Sequence, residues 1–203
     1  MKGDKIPLKA VKIGILGDTC VGKLSICKAY LGYEFNENSL NNNISHGKFE
    51  TKFTLDNGKE IRLIIWSAPG QERFHSIALN TMKSVNGILL IADLTRKESF
   101  DNIKKWLRDI EDNLNNPYIV LFGNKADLPE EKWEITSEEA KKYAEENKLI
   151  YFETSAKTKQ GIKEGFSYIA NQAYKIVEQK LNKNIIIGKD KWKKTKSKCY
   201  SSK

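Results

Sequence analysis

Apolar and polar positions follow one another along this chain in blocks that change period. A continuous apolar run at Val11–Leu16 predicts a buried strand, and a helical pattern follows from Lys23 to Leu31. Two runs, Gly47–Leu55 and Glu60–Trp66, flank Asp56-Asn57-Gly58, a turn sequence suited to a tight hairpin. Ile88–Ala92, Tyr118–Phe122 and Leu149–Phe152 predict further strands. Phe100, Ile103, Trp106, Leu107, Ile110 and Leu114 form one stripe of a helix over Ser99–Leu114. Ser137–Asn147 and Ile162–Leu181 read as helices, and the asparagine-rich stretch Asn36 to Asn43 as loop.

Six strands alternating with about five helices predict an α/β fold. The expected sheet is six-stranded and mostly parallel, with one antiparallel strand from the hairpin and helices on both faces, giving three layers. Ligands of such sheets gather at the C-terminal ends of the strands, so the loops that follow the strands should carry the chemistry.

Composition narrows the picture. The 203 residues, 39% hydrophobic and 10% aromatic, suffice for one core and an appendage. No apolar run approaches the roughly eighteen residues of a membrane span, and Met1 to Ala10 shows no secretory pattern. Cys20, Cys27 and Cys199 are too few and too scattered for a disulfide framework or a zinc site, so a reducing compartment is expected. The net charge of +9 is unevenly placed: from Asn182 onward eight lysines face one acid, Asp190, which accounts for +7. A near-neutral domain over 1–181 and a lysine-rich, disordered tail over 182–203 follow as the expected organisation. The body lacks the charge of a nucleic-acid-binding face, and the tail suits weak, salt-sensitive contact with an anionic membrane. Cys199, with four residues after it, does not fit a prenylation box; palmitoylation there would add a second membrane signal.

Three strand-following loops stand out. The first is Gly17-Asp18-Thr19-Cys20-Val21-Gly22-Lys23-Leu24-Ser25, a glycine-bounded loop ahead of a lysine, with strand before and helix after. Such loops wrap phosphates with backbone N–H groups, and the lysine reaches the outer ones. The second and third are Asn124-Lys125-Ala126-Asp127 and Ser155-Ala156-Lys157.

With these loops in this order, the chain resembles a small GTPase of the Ras superfamily, nearest the Rab branch, over about Lys9 to Leu181. Trp66, Gly70-Gln71-Glu72-Arg73-Phe74, Asp93-Leu94-Thr95 and Ser99-Phe100 ahead of Trp106 are Rab-like details. The resemblance implies a P-loop G domain that binds GTP and GDP. It implies that Asp127 accepts from two guanine N–H groups, that the Lys125 stem lies along the base, and that the Ala156 N–H meets the guanine oxygen. Phe35 would cover the base, Gly70 N–H would meet the γ-phosphate, and Gln71 would orient the attacking water. Phe49 and Trp66 would belong to a hydrophobic surface read by effectors. Effectors and exchange factors at the switch regions, vesicle-mediated transport, and a cytoplasmic location peripheral to endomembranes follow from the same likeness.

Departures from the family pattern converge on one ion. The residue after the P-loop lysine, which in the family gives Mg²⁺ a hydroxyl, is Leu24; Ser25 lies one step on, about 100° around the helix. The second-switch acid is replaced by Ser67 in Ser67-Ala68-Pro69-Gly70. The first-switch threonine falls on Ile44 counting back from Trp66 and on Asn42 counting forward from Phe35, with Ser45 the nearest hydroxyl. Ser25, Ser45 and Ser67 are therefore the candidate metal ligands, and Mg²⁺ is the doubtful cofactor. Two readings stay open: a switch with weakened hydrolysis, and a pseudo-GTPase module that recruits partners constitutively. A P-loop phosphotransferase is disfavoured by the guanine-reading loops.

Overall fold

The computed structural model describes residues 8–35, 47–68 and 75–200, with only the backbone described for 75–77 and 182–200. The strands are β1 (Ala10–Leu16), β2 (Gly47–Thr54), β3 (Glu60–Ser67), β4 (Gly87–Asp93), β5 (Tyr118–Asn124) and β6 (Ile150–Thr154). The helices are α1 (Lys23–Tyr30), α2 (His75–Thr81), α3 (Lys97–Asp101), α4 (Ile103–Asn113), α5 (Ser137–Glu146) and α6 (Ile162–Tyr200). The sheet order is β2-β3-β1-β4-β5-β6, with β2 antiparallel to β3 and the other neighbours parallel. The predicted six-stranded, mostly parallel sheet is the one observed.

Alternation along the strands sorts side chains onto two faces. Val11, Ile13, Ile15, Leu89, Ile91, Val120 and Phe122 pack with α1 and α6. Leu16, Ile88, Leu90, Ala92 and Leu121 pack with α2, α4 and α5. Every residue of β4 is buried, because helices cover it on both sides. This sandwich holds the C-terminal ends of β1, β4, β5 and β6 side by side, and the loops that leave them meet there.

Two helices differ from the predicted pattern. The helix expected over Ser99–Leu114 is broken at Asn102 into α3 and α4. The helix expected to end at Leu181 continues in its backbone to Tyr200, where a disordered tail was predicted. Helical hydrogen bonds are local, so the backbone of α6 can run on past the core, although Lys189/Lys193 and Lys194/Lys198 set like charges four residues apart. Helix α5 begins with a capping box: Thr136 Oγ1 accepts from Glu139 N, and Thr136 N donates to Glu139 Oε2 at 2.9 Å.

The β2–β3 turn is fastened to α6. Asp56 N donates to Asn171 Oδ1 at 3.1 Å, and Lys59 pairs with Glu178 at 3.1 Å. The ammonium groups of Lys9 and Lys59 lie 5.7 and 5.5 Å from the Tyr174 ring centroid.

Candidate functional site

The loop between β1 and α1 takes a shape that its glycines permit. Gly17 has φ +135°, and a Cβ there would stand 2.3 Å from the Ile91 carbonyl oxygen. Gly22 has φ +97°, and a Cβ there would meet Asn124 Nδ2 at 2.4 Å. Since a backbone carbonyl cannot swing aside, Gly17→Ala should lower stability by about 3 kcal/mol or more, read from the urea unfolding midpoint.

Lys23 opens α1 and is 6% exposed. Its Nζ donates to Gly17 O at 2.9 Å and to Asp18 O. Burial pushes this ammonium down to about 8, with the Asp18 charge opposing the shift and Arg96 adding to it. The sign is that of a base whose charged form the fold disfavours. Between about 8 and 10.5 the unfolded chain binds more protons than the folded one, so stability rises with pH through that window, by roughly 3 kcal/mol in full. Below that window the unfavourable term is complete and constant. Urea unfolding of nucleotide-stripped protein at about pH 7.5 and about pH 9.5 should show the rise, and Lys23→Met should abolish it.

The back of the loop is braced from α3 and α4. Asp18 turns its carboxylate outward, accepting from Asn102 Nδ2 at 2.7 Å and from Trp106 Nε1 at 2.9 Å. Arg96 Nη2 donates to Thr19 O at 2.7 Å. Sequence reasoning did not assign Arg96 or Asn102, and it noted Trp106 only in a helical stripe and as a family detail.

Asn124, 1% exposed, joins the three loops. Its Nδ2 donates to Val21 O at 2.7 Å, and its Oδ1 accepts from Ala156 N at 3.3 Å. The Ala156 N–H thus faces Asn124 in this structure. Ser155 Oγ donates to Asp127 Oδ1 at 2.6 Å while accepting from Lys157 N and Thr158 N at 3.1 and 3.0 Å. That chain of bonds fixes the orientation of the half-buried Asp127 carboxylate. Lys125, at φ +69°, sends its Nζ to Asp93 Oδ2 at 2.5 Å. Asp93 is 2% exposed, and its other oxygen accepts from Thr95 N and Oγ1. Asp93, which the sequence offers only as a Rab-like detail, joins Arg96 and Asn102 as a residue whose part in the site the sequence did not reveal.

Phe35 is 39% exposed after α1, and the neighbouring Glu34 lies 3.7 Å from Lys159, beyond the Ser155-Ala156-Lys157 loop. Ser67 ends β3 opposite Ile15 of β1; it is 4% exposed, and its Oγ has no hydrogen-bond partner among the described residues. Leu24 and Ser25 are half-buried in the first turn of α1. Ile44, Ser45, Pro69, Gly70 and Gln71 lie outside the described residues. Phe49 pairs with Ile65 and packs on the α1–α6 side. Trp66 pairs with Lys48 on the opposite face, where the Lys48 ammonium lies 5.7 Å from its ring. The two aromatics expected on one surface therefore leave the β2–β3 pair from opposite sides.

This arrangement, a phosphate-type loop bonded to two base-type loops through Asn124, coincides with a match to the Ras family over residues 12–175. The chain belongs to the Ras family. It is similar to Ras-related protein Rab-4 of Dictyostelium discoideum, 38% identical over 165 residues that cover 79% of this chain and 77% of that protein. It is also similar to Ras-related protein RABA4a of Arabidopsis thaliana, 33% identical over 171 residues, 83% of this chain and 74% of the relative. It is a Rab-like small GTPase, and its family binds GTP and GDP. Among the described residues of this Rab-like chain, no helix is long and apolar enough to cross a membrane.

Proposed function

We propose that this Rab-like protein binds GTP and GDP in the pocket formed by its P-loop and base loops, leaves magnesium to phosphates and water, and hydrolyses GTP weakly. The observation that carries the reading is the pair Leu24 and Ser67. Leu24 follows the phosphate lysine and offers no lone pair. Ser67, where the family has an acid, is a buried neutral hydroxyl with no hydrogen-bond partner among the described residues. Mg²⁺ favours six oxygens in a regular octahedron, with carboxylates supplying its protein charge. The donor set does not fit a protein-held magnesium.

In this reading the chain's own groups do the binding. Lys23 is poised to exchange its two loop carbonyls for phosphate oxygens, Asp127 reads the base edge, and Phe35 closes over it. The Rab likeness supports a role in vesicle-mediated transport, at the cytosolic face of endomembranes, with effectors and exchange factors at the switch regions. The lysines beyond Leu181 add weak, salt-sensitive attraction to an anionic leaflet. A constitutive platform without turnover shares every one of these contacts and differs only in hydrolysis.

The test is GTP and GDP affinity with Mg²⁺ and with a chelator, beside single-turnover phosphate release. Affinity that changes little on chelation, with slow release, supports the proposal. Strong Mg²⁺ dependence with an ordinary rate overturns it, and binding without any release selects the platform.

A further inference from the structure

Arg96 stands just past the C-terminal end of β4, before α3. Its Nη2 donates to Thr19 O, while its Nε is buried and has no hydrogen-bond partner among the described residues. One residue back, the Asp18 carboxylate is taken up by Asn102 and Trp106. The P-loop is therefore held from behind at two successive residues. The next residue, Cys20, is a non-glycine at φ +60°. L-residues disfavour that conformation, so its surroundings must hold it there.

The peptide between Thr19 and Cys20 supplies the link. In a trans peptide the carbonyl and the N–H point to opposite sides. A Thr19 carbonyl drawn to Arg96 therefore turns the Cys20 N–H away from α3, toward the far side of the loop. The guanidinium also remains charged at any accessible pH. We propose that Arg96 is a positioning residue for the phosphate cradle: it aims the Cys20 N–H and sets a permanent positive charge behind the loop. This rests on the nucleotide-binding reading above and deepens it. In a pocket whose Leu24 and Ser67 supply no anionic metal ligand, a fixed cation offsets phosphate charge without one.

The test compares the unaltered chain with Arg96→Gln and Arg96→Lys. Gln keeps a donor for the Thr19 carbonyl and removes the charge; Lys keeps the charge and loses the planar fork. Equilibrium titrations use fluorescent GTP, GDP and GMP analogues in chelator, at low and high salt, with thermal unfolding of the nucleotide-stripped proteins alongside. Arg96→Gln should weaken GTP by about tenfold, GDP less and GMP least, and should flatten the salt dependence. Arg96→Lys should retain the salt dependence and fall between. An equal loss for all three nucleotides marks a merely structural role and overturns the inference, as does no loss at all. A loss that grows with phosphate number, larger for Arg96→Gln than for Arg96→Lys and with unchanged unfolding, supports it. If the unaltered chain binds guanine nucleotides and Arg96→Gln matches it, this inference alone fails. If the unaltered chain binds none, the nucleotide reading fails and this inference with it.

Discussion

Replacing Asp127 with alanine is expected to lower affinity for GTP and GDP by about a thousandfold while leaving the unfolding midpoint nearly unchanged. The carboxylate would accept two hydrogen bonds from the guanine edge. Bonds to a charged group contribute about 1.5–3 kcal/mol each, and two of them correspond to roughly 10²–10⁴ in a dissociation constant. Asp127 is half-exposed, and among the described residues its hydrogen bond comes from the Ser155 hydroxyl. That hydroxyl keeps its bonds from Lys157 N and Thr158 N when the carboxylate is gone, so the fold should lose little. Asp127→Asn sharpens the experiment. An amide presents one donor and one acceptor in place of two acceptors, so guanine should be lost while a base bearing a carbonyl at the neighbouring position regains ground. Competition titrations with guanine and xanthine nucleotides read both effects. Guanine binding that survives Asp127→Ala would remove the base-reading role.

The second large effect concerns the missing ligands. Leu24→Ser, Ser67→Asp and Ile44→Thr together should raise the ratio of GTP affinity in Mg²⁺ to that in chelator by about tenfold or more, a gain of about 1.4 kcal/mol. Single-turnover phosphate release should quicken with it. Ser67→Asp has a readout of its own. The position is 4% exposed, and an unpaired carboxylate buried there is costly. The variant should therefore unfold at lower temperature in chelator and recover when Mg²⁺ and nucleotide bind, since a ligand of the folded state alone stabilises it. Were the triple variant as indifferent to Mg²⁺ as the parent, the defect would lie elsewhere.

What could be read from the residues was what lies close together along the chain. β4 was legible because both of its faces are covered, so its apolar run is unbroken. The hairpin was legible because Asp56-Asn57-Gly58 encodes its turn; Gly58 sits at φ +77°. Helix α2 was not, since its seven residues are too few to set a stripe. The break at Asn102 escaped because the apolar spacing runs straight through it. The site divides in the same way. Motif residues of the three loops are contiguous and could be named, whereas their supports are long-range. Asp18 meets Trp106 across 88 positions, and Arg96 meets Thr19 across 77. Nor does spacing along β2 and β3 announce that Phe49 and Trp66 part to opposite faces; that follows only from the pairing register.

The ties from Asp56 and Lys59 to Asn171 and Glu178 have a mechanical corollary. They lie at solvent-accessible positions, whereas the apolar seam between α6 and the sheet is buried. A load drawn along the terminal rod would be met at the hairpin tip by these polar latches, which can release and re-form in water. The outermost ribbon of the sheet would thus yield ahead of the interior.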